Sequence, residues 1–172
     1  MTASGETNPA AGVTARVAAS LPSLRATVFG SVAWAIVNAA SAYLGLWMRD
    51  WQAGYFSVVL IFALGGTLAF APAYASSHLI AARSPRERRF AAAFVLLAVL
   101  TIGLTAALFA VEYRIYYAQW HADFPSMVWG FQLFFTSAAA VYQFAVLGLR
   151  LYFPFGFLAL FIAAAWIAGR LR

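Results

Sequence analysis

Few side chains in this sequence could do chemistry. There are two histidines, five acidic residues and no cysteine among the 172 residues, which excludes disulfides, thiolate metal sites and redox dithiols. His121 and Asp123 stand two residues apart, but a metal site usually needs three or four ligands. No phosphate-binding loop, nucleophile elbow or metalloprotease motif is present. The sequence therefore predicts no metal centre, no cofactor and no enzyme activity.

The acidic residues Asp50, Glu112 and Asp123 lie at the ends of hydrophobic runs. A proton relay or an ion-coupled transporter normally has an acidic residue near the middle of the membrane. Glu112 and Arg114 are two residues apart, and because helical neighbours are three or four apart, their side chains should have different partners. Glu112 is predicted to contact a neighbouring helix or a partner. The alternative is an interfacial ion pair that fixes the depth of the helix.

The most strongly charged stretch runs from Arg83 to Arg89 and is called the basic segment. Its arginines are Arg83, Arg86, Arg88 and Arg89. Hydrophobic runs of membrane-spanning length flank it on both sides, and cytoplasmic loops collect Lys and Arg. We therefore expect the basic segment and the N-terminus to be cytoplasmic, with these arginines contacting lipid headgroups.

Composition excludes a soluble domain. Hydrophobic residues make up 65% of the chain and charged residues 9%, against about 25% charged in a typical soluble domain. The net charge of +6 comes from arginine without lysine, and these arginines gather at predicted helix ends rather than along a stripe. This distribution favours anionic lipids over nucleic acid as partners. We expect an integral protein of the bacterial inner membrane.

The hydrophobic runs predict an all-α polytopic helical bundle. The first four spans are expected near residues 26–48, 55–82, 90–113 and 127–149. A flexible cytoplasmic tail should cover residues 1–25, the transmembrane domain residues 26–168, and a short C-terminal tail residues 169–172.

The number of crossings depends on residues 151–168, an apolar run of 18 residues. This run would be about 27 Å long as a helix, just enough to cross. Length favours a fifth crossing, which would place Arg170 and Arg172 outside, whereas the arginine distribution favours four crossings. In both topologies Arg150 marks the cytoplasmic boundary. We expect five transmembrane helices, with four plus a re-entrant or interfacial segment as the alternative.

Polar residues inside the spans indicate where helices meet. Asn38 lies near the middle of the first span, and an amide at that depth usually hydrogen-bonds to a neighbouring helix. Gln132, Tyr142 and Gln143 make the fourth span the most polar one. Their spacing predicts a stripe that faces a partner helix or a partner subunit.

Several of these stretches resemble one known family. Glu112-Tyr113 closes a helix that follows a basic loop, Val128-Trp129-Gly130 precedes two phenylalanines, and Tyr43-Leu44 precedes Arg49. In this respect residues 26–168 resemble the short, five-helix form of subunit III of the haem-copper oxidases. The resemblance implies five helices, a cytoplasmic N-terminus and a structural accessory role.

The sequence departs from that family at two places. Val141 and Phe144 stand near the positions of the family's paired histidines in the fourth helix. The first span also lacks the family's acidic residue. The resemblance therefore carries over no proton-collecting or lipid-site role that depends on those residues.

Two functions fit these features. The first is a non-catalytic accessory or assembly subunit of a larger integral-membrane complex, such as a respiratory oxidase, with other membrane subunits or further copies of this chain as partners. The alternative is a small carrier or flippase for a lipid-linked substrate, suggested by short loops, Pro72 in the second span and carboxylates beside an aromatic loop.

Overall fold

The computed structural model describes residues 23–50, 54–81 and 83–171. This part of the chain is helical and contains no strand, which confirms the predicted all-α class. Most of the expected N-terminal tail, residues 1–22, lies outside the described ranges. The helices are α1 (Leu24–Trp47), α2 (Tyr55–Ala81), α3 (Arg86–Tyr117), α4 (Met127–Gln143) and α5 (Phe155–Arg170).

Within the residues that the structure describes, four helical stretches are long and apolar enough to cross a membrane. They are α1, α2, α3 with the 3₁₀ turn that follows it, and the stretch Met127–Tyr152 that begins with α4. α3 has 32 residues, about 48 Å, and is therefore longer than a hydrocarbon layer of about 30 Å. These four stretches place the protein in a membrane.

Two glycines set the close packing of α2. A Cβ atom at Gly65 would overlap Thr105 of α3 and lie 2.9 Å from its Cα. A Cβ atom at Gly66 would lie 2.8 Å from Nδ2 of Asn38 in α1. Small residues let membrane helices approach closely, so the glycine pair allows α2 to contact α1 and α3 at one level.

The chain between α4 and α5 is not a regular α-helix. α4 ends at Gln143 and continues as a π-helical turn from Phe144 to Gly148, then as a 3₁₀ turn from Leu149 to Tyr152. Pro154 follows, and a proline cannot donate the backbone hydrogen bond that a continuous helix needs. Residues 144–154 are called the break.

The break lies part of the way along the bundle. Phe144 packs near Phe62 and Phe109, with ring centroids 6.1 and 6.2 Å away. The backbone N–H of Gly156 donates to Ser41 Oγ of α1 over 3.0 Å. α5 therefore begins inside the bundle and not at its surface.

The C-terminus lies beside the basic segment, at what we call the basic end of the bundle. The Arg89 guanidinium donates a hydrogen bond to the carbonyl of Leu171, and Phe161 of α5 packs on Phe90 and Phe94 of α3. The expectation that the C-terminal residues lie opposite the basic segment is wrong. α5 has 16 residues, about 24 Å, and because it begins at the break it reaches the basic end.

Arg150 also lies elsewhere than expected. It lines a cavity together with Leu46, at the end of α1 far from Ser23, and Arg49, in the turn that follows α1. It therefore does not mark the boundary at the basic end. The chain turns at the break before it reaches that end, which is why Arg150 stays in the opposite half.

The buried core has two parts. The cluster toward the basic end joins Trp34, Phe70, Leu97, Leu160 and Ile167, so that α1, α2, α3 and α5 all contribute. The cluster toward the opposite end is built from Ala42, Leu46, Phe62, Phe144 and Leu151. There the break replaces α5, while α4 lies outside and packs chiefly against α3.

Candidate functional site

The basic segment presents its arginines at one end of the bundle. Arg83, Arg86 and Arg88 are exposed, and Arg89 is half-buried against Leu171. Arg86 and Arg88 belong to the first turn of α3, where the helix dipole adds positive potential. Three cations can therefore reach lipid headgroups, while the fourth holds the C-terminal end of α5.

Asn38 is buried, with 1% of its surface exposed. Its Nδ2 donates to the Trp34 carbonyl in its own helix over 2.6 Å, and it lies against Gly66 of α2. Its Oδ1 accepts no hydrogen bond from the described residues. Asn38 thus lies at the α1–α2 contact with its hydrogen bond inside α1.

A set of hydrogen bonds between helices was not predicted from the sequence. Trp34 Nε1 donates to Thr101 Oγ1 over 2.9 Å, which joins α1 to α3. The Tyr152 hydroxyl donates to Thr105 Oγ1 over 2.9 Å, which joins the break to α3. Threonines at positions 101 and 105 lie one helical turn apart, and that spacing was the available signal.

Ser41 holds both sides of the break. Its hydroxyl donates to the carbonyl of Leu151 over 2.8 Å and accepts from the N–H of Gly156 over 3.0 Å. The irregular backbone frees polar groups that must be satisfied inside a membrane protein. Ser41 satisfies one acceptor and one donor and so fixes where the chain turns.

Glu112 is exposed near the end of α3 that lies away from the basic segment. The Arg114 guanidinium lies 5.3 Å from the ring centre of Trp129 in α4. This cation–π contact gives Arg114 a partner in the neighbouring helix, and Glu112 is left facing the surroundings.

Gln132 forms a hydrogen bond with the loop before α4. Its Oε1 accepts a hydrogen bond from the N–H of Ala122 over 2.8 Å. One turn further on, Thr136 Oγ1 lies 3.2 Å from His121 Nε2. In the described part of the chain no group of three or more potential metal-ligating residues is present. The observed partner of His121 is Thr136.

Tyr142 and Gln143 face different surroundings. The Gln143 amide points toward α3, with Nε2 3.5 Å from the Tyr113 hydroxyl. Tyr142 is 69% exposed. The predicted polar stripe therefore divides, with Gln132 and Gln143 directed into the chain and Tyr142 directed outward.

A cavity of about 290 Å³ opens at the break. Its walls are mostly apolar and include Phe62, Phe109 and Leu151, while Arg49, Gln143 and Arg150 supply its polar groups. Two guanidinium groups beside apolar walls can hold the anionic end of an amphiphile. The proximity of Arg49 and Arg150 was not predicted from the sequence. Gly148 and Pro154 were the available signal for a turn between α4 and α5.

The outward face of α4 is a second candidate. Among the residues of α4, Ala140 alone is buried. The exposed face contains a shallow depression with small side chains in its floor and Phe134 and Tyr142 among its lining residues. The small residues of this depression are Gly130, Ser137, Ala138 and Ala145.

No protein-family model, no curated protein and no solved structure matches the chain.

Proposed function

We propose that this protein is a non-catalytic accessory subunit that binds a transmembrane helix of a larger membrane complex on the outward face of α4. The observation that carries the proposal is the exposure of α4, of which Ala140 alone is buried. α5, of similar length, buries five residues within the bundle. α4 therefore has an unused face that a partner helix can cover.

The chemistry of this face supports a helix as its partner. Membrane helices associate through close packing, and small residues permit it. Ala138 and Ala145 lie two turns apart in the depression, and Phe134 and Tyr142 stand at its sides. A partner helix that crosses here would gain contact with both aromatic rings.

We also propose four crossings with the basic end in the cytoplasm. Eight arginines lie before α1 or in its first turn, in the basic segment, or at and after the last residue of α5, whereas Arg49, Arg114 and Arg150 belong to the opposite half. This excess follows the positive-inside rule. α4, the break and α5 together then make the fourth crossing. The resembled family has five crossings, so the resemblance does not support this topology. The accessory role is therefore argued from the exposed face of α4.

Single cysteines test this topology, because the chain has none of its own. Cysteines placed at the exposed positions Arg86 and Gly169 should both resist a membrane-impermeant thiol reagent in intact cells and react after lysis. A cysteine at Gln119 is the control and should react in intact cells. Labelling at Gly169 from outside would contradict four crossings.

Ala138→Phe tests the partner contact. The added ring fills the depression, so we expect partner subunits that co-purify with the unmodified protein to be lost in native mass spectrometry. Ala139→Phe adds the same ring about 100° around the helix and should retain them. If the partner is a respiratory oxidase, haem absorbance should be lost with Ala138→Phe as well.

Two results would contradict the accessory role. One is that native mass spectrometry finds the unmodified protein without any partner at every mild detergent concentration. The other is equal loss of partners in both alanine variants. Retention of a second copy of the same chain, with no other protein, would identify a homo-oligomer in place of a larger complex.

The break favours a second function, that of a carrier for an anionic lipid-linked substrate. Broken transmembrane helices often form substrate sites, and here the cavity at the break contains Arg49 and Arg150. In this case Arg150→Gln should abolish movement of a lipid-linked phosphate across vesicles that contain the protein. Ala138→Phe should leave that movement unchanged, which is the reverse of the accessory pattern.

A further inference from the structure

A long groove opens between α1 and α5 on the side of the bundle away from α4. Its volume is about 680 Å³, within the range of roughly 300–1,000 Å³ usual for ligand sites. Phe70 of α2 closes its floor. The other apolar side chains that line it are Ala26, Phe29, Gly30, Ala33, Trp34, Val37, Ala159, Ile162, Ala163 and Trp166.

Small residues at matching positions create this groove. On α1, Ala26, Gly30 and Ala33 recur at intervals of four and three residues, and on α5, Ala159 and Ala163 are four apart. Such positions lie on one face of a helix. The facing surfaces of α1 and α5 therefore carry small side chains, and the two helices leave space between them instead of packing against each other.

The floor offers nothing to a polar ligand. Trp34 has one hydrogen-bond donor, its Nε1, and this already donates to Thr101 Oγ1 over 2.9 Å. Phe70 contributes an aromatic ring that fills the space beside Gly30, where a Cβ atom would overlap it. The groove is thus suited to a hydrocarbon chain.

The mouth of the groove at the basic end is cationic. Arg25 and Arg170 line it beside the hydroxyl of Ser23. The Arg170 guanidinium lies 4.6 Å from the ring centre of Trp166, which also lines the groove. This cation–π contact holds the positive charge at the mouth while leaving guanidinium N–H groups free to bind an anion.

We propose that the groove binds one anionic phospholipid, with an acyl chain between α1 and α5 and the headgroup phosphate at Arg25 and Arg170. From Ser23 to Val37 the groove follows α1 for about 21 Å, which exceeds half of a hydrocarbon layer about 30 Å thick. A chain from the leaflet at the basic end fits this length. The site is separate from the outward face of α4 and does not depend on the accessory role.

The charge at the mouth can be tested with the purified full chain. Native mass spectrometry should show one retained phosphatidylglycerol and no retained phosphatidylcholine after equal addition. The double variant Arg25→Gln/Arg170→Gln should weaken phosphatidylglycerol retention by about 25-fold, roughly fivefold for each arginine. The control Arg25→Lys/Arg170→Lys keeps both positive charges at the mouth and should retain the lipid.

The groove itself can be tested by filling it. Ala33 is an exposed lining residue of α1, so Ala33→Phe should block the acyl chain and abolish retention. Ala40 is exposed on the same helix but does not line the groove, so Ala40→Phe should leave retention unchanged. Phosphatidylglycerol with a photoreactive group on its acyl chain should cross-link to residues 26–37 and 159–166 of the unmodified protein.

Three outcomes would overturn the proposal. They are equal retention of the neutral lipid, equal loss of phosphatidylglycerol in the glutamine and lysine double variants, and cross-links that map outside α1 and α5. The cross-linking uses unmodified protein, so it decides the question even if Ala33→Phe fails to fold.

Discussion

α4 and α5 lie on either side of the break and are called its two halves; they are buried to opposite degrees. They have 17 and 16 residues, and both are apolar. α5 buries Gly156, Leu160, Ala164, Ile167 and Ala168, whereas α4 buries Ala140. Apolar character therefore shows that both halves suit a membrane but does not show which half packs inside the bundle.

The residues on each face explain the difference. In α5 the small residues Gly156, Ala164 and Ala168 recur at intervals of about two turns and one turn and let neighbouring helices approach. In α4 the exposed positions include Phe131, Phe134 and Phe135, which lipid tails accommodate well. Small residues on one face of a membrane helix thus mark contact, either within the chain or with a partner.

The largest expected effect is overpacking of α5. Ala164 has no exposed surface and belongs to the buried cluster with Leu97 and Ile167. Ala164→Phe should lower the free energy of unfolding by about 3 kcal/mol or more, since a well-packed core cannot admit a ring. Ala139→Phe on α4 should change it by no more than about 0.5 kcal/mol.

Unfolding in detergent, followed by circular dichroism, measures both variants. Equal loss of stability would mean that α4 is as tightly packed as α5. The contrast between the two halves would then be wrong, together with the exposed face on which the accessory role rests.

The next effect concerns the join between the halves. Ser41→Ala removes the acceptor of the Gly156 N–H and the donor to the Leu151 carbonyl. Two buried groups lose a partner, so unfolding should become easier by about 2–4 kcal/mol. Ser77 is the matched control, because its buried hydroxyl bonds to Ala73 in the same helix and Ser77→Ala should cost about 1 kcal/mol.

Thermal unfolding of the two serine variants side by side checks this difference. A Ser41 variant as stable as the Ser77 variant would show that the break is held by apolar packing alone. In that case Phe144 and Leu151, which are both buried, would be the residues that fix its position.

Much of the helical bundle could be predicted from hydrophobic runs. The starts of α2 and α4 at Tyr55 and Met127 agree with the expected spans. α3 begins at Arg86, four residues before the expected span, because arginine favours helix as well as headgroups. Such local signals depend on length and residue type, which the sequence displays directly.

The direction of α5 could not be predicted in this way. The run 151–168 has the length of a crossing, and length says nothing about where a helix begins. Its start is set by Ser41, a residue 115 positions from Gly156. The groove and the cavity at the break depend on the same long-range contact. The positions of Arg170 and Arg150 were therefore predicted wrongly from the sequence.

A smaller effect is expected where α4 meets the loop before it. Gln132→Ala removes the acceptor of the half-buried Ala122 N–H and should lower stability by about 1 kcal/mol. Amide exchange should quicken in the residues around Ala122 and remain unchanged in α5. Faster exchange in α5 would mean that the two halves unfold together and that the break does not separate them.

The smallest effect is expected at Gln143, the last residue of α4. Its amide lies 3.5 Å from the Tyr113 hydroxyl, at the limit of a useful hydrogen bond, and it is directed toward α3 and away from the outward face. Gln143→Leu should therefore change stability by no more than about 0.5 kcal/mol and leave bound partners in place in native mass spectrometry. Loss of the partner in this variant, with retention in Ala138→Phe, would move the partner surface from the depression to the cavity at the break. The exposed half would then bind its partner through the residues that join it to the buried half.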